Sequence, residues 1–246
     1  MTIITIELLD TIHGIFTLIF VIISIITGAI IVSKYFKFRK SQFLLFGLFW
    51  IGLTTPWWPT VIIFLITLVA TAPVSIEAFI VGGIAFLPIT IILGLIAFLK
   101  VLPKKKSTKS LILILSLIIN ISYEIFLFIF LFIDISLIAT PGTSIFMINW
   151  SIPSQVYFIL SLMFFLYVGL SFSITSIKTD DPIIKLKGKF LLIAFLSFTI
   201  GTVLDFAIPI TLTYVIARII LFTSTLEFYI GLMLPKFIEK IFIKRI

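Results

Sequence analysis

Long runs of apolar residues, separated by short polar segments, make up most of the chain. Seven runs can be counted, at 11–34, 42–71, 74–99, 109–135, 153–177, 188–210 and 211–235. An α-helix needs about 20 apolar residues to cross the roughly 30 Å hydrocarbon core of a bilayer, and every run meets that length. The pattern therefore predicts an all-α membrane protein built as a bundle of seven transmembrane helices.

The composition indicates that nearly the whole chain lies in the membrane. Of the 246 residues, 61% are hydrophobic and 11% are charged, whereas soluble proteins carry about 25% charged residues. We expect one transmembrane domain over residues 1–235 and a short amphipathic tail over residues 236–246, lying at the membrane interface. The basic residues form short clusters between spans, so the lipid bilayer and not nucleic acid is the expected partner. The richness in Ile, Phe and Lys suggests an archaeal or bacterial cell membrane.

The basic residues predict how the bundle is oriented. Every Lys and Arg except Arg218 lies in the first, third or fifth loop or in the tail. These segments share one side of a seven-span chain, and positive charge marks the cytoplasmic side. The opposite side carries acidic residues only: Glu7, Asp10, Glu77 and Asp134. The N-terminus is therefore predicted outside and the C-terminus inside.

Single cysteines test this orientation cleanly, because the chain contains no cysteine of its own. We expect Ser107→Cys in the third loop and Thr143→Cys in the long fourth loop to react with a membrane-impermeant thiol reagent from opposite sides. Labelling of both positions from the same side would contradict the count of seven spans.

Two prolines interrupt the middle of the second span, within the segment 55–59, which reads Thr-Pro-Trp-Trp-Pro. An interior proline lacks the N–H that bonds the carbonyl four residues earlier, so Gly52 and Thr55 each lose a donor. We expect a kink here. Either Trp57 and Trp58 pack the kink closely, or one of them lines a cavity that the kink opens.

The outer side carries two further features of interest. The loop Asp134–Pro153 contains Trp150, and it is either a lid over an outward pocket or an interfacial segment that Trp150 anchors; the second is favoured because Trp is enriched at membrane interfaces. His13 opens the first span and is expected to be an interfacial polar residue.

Charged side chains inside the spans are the main candidates for function. Arg218 and Glu227 lie in the seventh span, Asp205 near the outer end of the sixth, and Glu124 in the middle of the fourth. A charge at membrane depth is costly and normally faces a polar partner or a cavity. At 100° per residue, Tyr214 shares the face of Arg218, whereas Glu227 points away from it. By depth, Asp205 is the first expected partner of Arg218, and Glu124 is the second.

Polar and aromatic residues near these charges complete the candidate set. Asn120 and Tyr123 share a side of the fourth span with Glu124. Trp57 and Trp58 are also candidates, because they lie at the predicted kink. The arginine–carboxylate pair is either a clasp that fixes helix packing or a ligand site, and both interpretations stay open. A single His and no Cys disfavour a zinc site. No nucleophile or phosphate-binding motif occurs in a fitting context, so we do not expect an enzyme.

Seven helices with the N-terminus outside and charged residues in the last two resemble the broad class of heptahelical receptors and microbial rhodopsins. A retinal protein of that class carries a Schiff-base lysine in its last helix. The seventh span has no lysine, so no cofactor is expected. The layout is also similar to the seven-helix sensor regions that precede histidine kinase domains in bacteria and archaea, although an output domain is not expected here. Sugar transporters of the SWEET type share the span count. Their 3+1+3 repeat would require spans one to three to align with spans five to seven, and they do not.

The resemblance implies a receptor or sensor for a small or lipidic ligand. Such a protein would signal through a cytoplasmic partner at its basic inner face, or through a homo-oligomer. The alternative is a small transporter or channel, with Glu124, Asp205, Arg218 and Glu227 along its path.

Overall fold

The computed structural model describes residues 8–69, 75–103, 105–142, 146–208 and 210–243. Thr143, Pro209 and the end of the tail, residues 244–246, lie outside the described residues. The helices are α1 Leu8–Phe38, α2 Ser41–Leu53, α3 Trp58–Val69, α4 Ile76–Ile84, α5 Leu87–Val101, α6 Lys106–Ile133, α7 Ile152–Ile177, α8 Pro182–Ala207, α9 Thr211–Met233 and α10 Lys236–Phe242.

By length and composition, seven segments of the described chain can cross a membrane. Five are single helices, while α2 with α3 and α4 with α5 each form one interrupted span. The seven-span prediction is confirmed. The fold is nearly, but not wholly, helical, because β1 (Ala139–Pro141) and β2 (Ile148–Trp150) form a small antiparallel hairpin in the long outer loop. The side that holds the first residue of α1 is called the outer side, after the predicted orientation.

The largest boundary error concerns the start of the sixth span. The apolar run predicted a start at residue 188, whereas α8 begins at Pro182. Asp181 caps the helix, since its Oδ1 accepts hydrogen bonds from the backbone N–H groups of Ile183 and Ile184. A proline at the first position of a helix is also favourable. These two signals extend the helix by a turn and a half into a segment that is too polar for the hydropathy pattern to include.

The second span is interrupted at the predicted place. Between α2 and α3 lies a single 3₁₀ turn at Thr55–Trp57. The hydroxyl of Thr55 donates to the carbonyl of Gly52 at 2.9 Å, which replaces the bond lost to Pro56. The carbonyl of Thr55 accepts from the N–H of Trp58 within the 3₁₀ turn. The irregular backbone is thus satisfied locally, as backbone at membrane depth must be.

The third span breaks in a similar way. It is interrupted between Ile84 and Leu87, and Pro88 occupies the first turn of α5. The hydroxyl of Thr90 donates to the carbonyl of Phe86 at 2.8 Å. The two interrupted spans turn their breaks toward each other, since an added Cβ on Gly83 would lie 3.2 Å from Cγ of Pro59.

Buried apolar side chains form two clusters, one above the other. The outer cluster joins α3, α4, α6, α7 and the hairpin. The inner cluster joins α1, α2, α5, α8 and α9. At the centre of the inner cluster, the rings of Trp50, Phe98, Phe195 and Phe228 contact one another, with centroids 4.4 Å apart for Trp50–Phe228 and 4.8 Å for Phe195–Phe228. These four residues are called the inner aromatic cluster.

Candidate functional site

A cavity of about 130 Å³ lies in the bundle beneath the outer hairpin. About 10–15 Å³ suffices for one water molecule, so the cavity has room for a small molecule. Its walls come from α2 to α5, from α7 to α9 and from the hairpin. Phe98 of the inner aromatic cluster lies at its floor, and Phe198, also in the floor, packs against Trp50 and Phe228.

Arg218 and Asp205 form a buried ion pair in the cavity wall. Nη1 of Arg218 lies 2.6 Å from Oδ1 of Asp205, and the two side chains are 3% and 15% exposed. This is the first partner that depth and adjacency predicted for Arg218. Arg218 follows the first residue of α9 by seven positions, about 10 Å along the helix axis, so the pair lies in the outer half of the bundle. The pair ties α8 to α9.

The 3₁₀ turn of the second span brings Trp57 to the same place. Its indole Nε1 donates to Oδ2 of Asp205 at 2.8 Å, and its ring lies 5.6 Å from the guanidinium carbon of Arg218. A guanidinium at that distance from an indole ring is attracted by the ring quadrupole. Both carboxylate oxygens of Asp205 therefore have partners, and the interruption near Pro56 serves to aim Trp57 at the ion pair.

The first helix supplies the remaining contacts. Nε of Arg218 donates to the hydroxyl of Thr17 at 2.9 Å, and that hydroxyl donates to the carbonyl of His13 at 2.7 Å. His13 is only 1% exposed, and its ring lies 5.5 Å from the ring of Tyr214. The expectation that His13 is an interfacial residue was wrong. His13 is buried because it lies on the face of α1 that packs against α9. The buried residues of this face recur every three or four positions.

Comparison with protein-family models, with curated proteins and with solved structures found no match to this chain.

Two hydroxyl groups in the cavity wall were not predicted. Ser161 of α7 is 6% exposed and Thr202 of α8 is half-buried. The hydroxyl of Thr202 has no hydrogen-bond partner within the described part of the chain, and the hydroxyl of Ser161 lies beside that of Tyr157. Their spans contain several other Ser and Thr residues, and nothing in the spacing of these two sets them apart from hydroxyls that bond their own helix. The spacing of four between His13 and Thr17 places them on one face of α1, but it does not indicate that this face meets Arg218.

Asn120 and Tyr123 lie outside the cavity and join helices instead. The ring of Tyr123 stacks on that of Tyr157 with centroids 3.6 Å apart, and the hydroxyl of Tyr157 donates to Oδ1 of Asn120 at 2.9 Å. The hydroxyl of Ser154 continues this network to the carbonyl of Ile138 beside the hairpin, at 3.0 Å. The network connects α6 to α7 and both to the outer loop.

Glu124, Glu227 and Trp58 are not brought to Arg218. Glu124 is half-buried on α6 and does not line the cavity. Glu227 is half-buried on α9, next to Ser197 of α8. Trp58 points its indole N–H back to the hydroxyl of Thr54 at 3.1 Å. Of the two tryptophans at the kink, only Trp57 lines the cavity.

Trp150 is half-buried in the cavity wall, and its ring meets that of Phe158 edge to face at 5.1 Å. The favoured interpretation of the loop, an interfacial segment with Trp150 as its anchor, therefore does not describe this residue. The hairpin turns Trp150 and Ile148 inward, because alternate residues of β2 point to opposite faces. The alternative, a cover over an outward pocket, fits the geometry.

Proposed function

We propose that this protein is a heptahelical sensor or receptor of the cell membrane that holds a small or lipidic ligand in the cavity beneath the hairpin. The form of the cavity is the observation that supports this most. Its wall carries the Arg218–Asp205 pair, and at its inner end Phe98 and Phe198 pack against further aromatic rings. Packed rings on the inner side suit a bound ligand better than a cargo in transit.

Helix α9 offers a route from the cavity to the inner face. It carries Tyr214 and Arg218 in the cavity wall and continues without interruption to Met233. After a left-handed residue, Leu234, α10 begins with the basic residue Lys236. A ligand that shifts Arg218 would therefore displace a rigid element that ends at the basic face, where a partner protein would detect the change.

The second candidate is a small transporter or channel, and Glu227 is the residue that favours it. This carboxylate lies on α9 about 13 Å below Arg218 along the helix axis, in the inner half of the bundle. A path that used both residues would have to pass the inner aromatic cluster, and those rings would have to separate. That requirement makes transport the weaker proposal.

Native mass spectrometry of the protein, released directly from its own membranes, tests ligand binding. We expect the wild-type chain to retain a small molecule that Ser161→Phe does not retain, because the added ring fills the cavity. Thr175→Phe is the matched control: it lies on the same helix, at an exposed position, and it should retain the molecule. Equal retention by Ser161→Phe, or no retained molecule in the wild type, would contradict the proposed function.

A further inference from the structure

The walls of the cavity restrict the charge of its occupant. Arg218 and Asp205 are the only charged side chains among the described residues that line it, and they neutralise each other at 2.6 Å. An ionised ligand would either carry an unpaired charge in a region of low dielectric or break the existing pair. Both are costly. An uncharged ligand avoids both costs.

The aromatic rings in the cavity wall restrict the shape of the ligand. Twelve of the 27 lining residues are Phe, Trp or Tyr, whereas aromatic residues make up 15% of the whole chain. Rings interact favourably with other flat unsaturated groups, by offset stacking or edge to face. A flat, conjugated molecule therefore gains more in this cavity than a saturated chain of the same area.

We propose that the cavity binds an uncharged, flat, unsaturated molecule that is soluble in lipid. This inference rests on the proposed function, since it specifies the ligand class of the same cavity. The Arg218–Asp205 pair then acts as a neutral wall, and not as a receptor for an anionic head group.

Two small conjugated probes that differ in charge and by one methyl group test the inference. They are trans-cinnamic acid, ionised at a pH of about 9, well above the pKa of a free carboxyl group, and its neutral methyl ester. Binding to the full chain in lipid nanodiscs is measured as saturable quenching of tryptophan fluorescence, because Trp57 and Trp150 line the cavity. We expect the ester to bind at least about tenfold more tightly than the ionised acid.

Variants locate the bound probe. Ser161→Phe should abolish saturable quenching by the ester, while the control Thr175→Phe should preserve it. Ile91→Phe fills the same cavity from α5 and serves if Ser161→Phe does not fold.

Equal or tighter binding of the ionised acid would overturn the inference about charge and leave the proposed function standing. Ester quenching that survives both filling variants would place the probe outside the cavity and overturn the inference as well. Absence of saturable ester quenching, in a protein that still retains its own ligand by native mass spectrometry, would show that the ligand class is wrong. The retained-ligand measurement alone decides the proposed function.

Discussion

Arg218→Met is expected to destabilise the folded protein by about 3–5 kcal/mol, because it leaves the carboxylate of Asp205 without its cationic partner in the bundle. Asp205→Leu should cost at least as much, since Arg218 is the more deeply buried of the two, at 3% exposure against 15%. Thr17 and Trp57 would still contact the remaining partner, but neither supplies an opposite charge. The measurement is thermal unfolding of each variant in the same nanodisc lipid.

The double variant Arg218→Met with Asp205→Leu separates the two roles of the pair. An apolar pair of similar volume often replaces a buried ion pair at little cost, so the double variant should recover most of the lost stability. If the pair only fixes helix packing, the double variant should be stable and should still bind the neutral methyl ester. If the double variant is no more stable than the worse single variant, the pair does not act as a coupled unit.

Gly47→Ala is expected to disrupt the packing of α2 against α1. An added Cβ at Gly47 would lie 2.7 Å from the carbonyl oxygen of Gly28 and 2.8 Å from the backbone nitrogen of Val32. Backbone atoms within a helix cannot move aside as side chains can, so the two helices must separate. Overpacking of this kind costs about 1–3 kcal/mol or more, which thermal unfolding detects.

Gly82→Ala is the matched control, because an added Cβ there would meet only Cγ of Pro59, at 3.6 Å. We expect the free energy of unfolding to change by no more than about 0.5 kcal/mol, because the better helix propensity of Ala offsets the small steric cost. Gly83→Ala, with Pro59 at 3.2 Å, should fall between the two. A Gly47→Ala variant as stable as Gly82→Ala would mean that α1 and α2 do not pack as described.

Features that depend on one helix at a time could be predicted from the sequence. Apolar run length predicts the spans, and the missing N–H of Pro56 predicts the interruption of the second span. The partner of Arg218 could also be predicted, since consecutive antiparallel helices place Asp205 at a matching depth. Each of these features follows from the rise and period of a helix, or from the adjacency of consecutive helices, which do not depend on the rest of the fold.

Features that depend on which helix faces which could not be predicted in this way. His13 lies beside Tyr214 because α1 packs against α9, two elements separated by most of the chain. Asn120 and Tyr123 turn to α7 and not to Arg218, because α6 lies at the edge of the bundle. The inward position of Trp150 follows from the register of a hairpin whose strands are only three residues long.

A crystal structure of the protein grown from a lipidic mesophase tests the central claim most directly. We predict non-protein density in the cavity, against the ring of Trp57, with Phe195 and Phe228 in contact below it. A continuous line of water molecules that passes between those two rings to the inner face would contradict this account and favour a transport path.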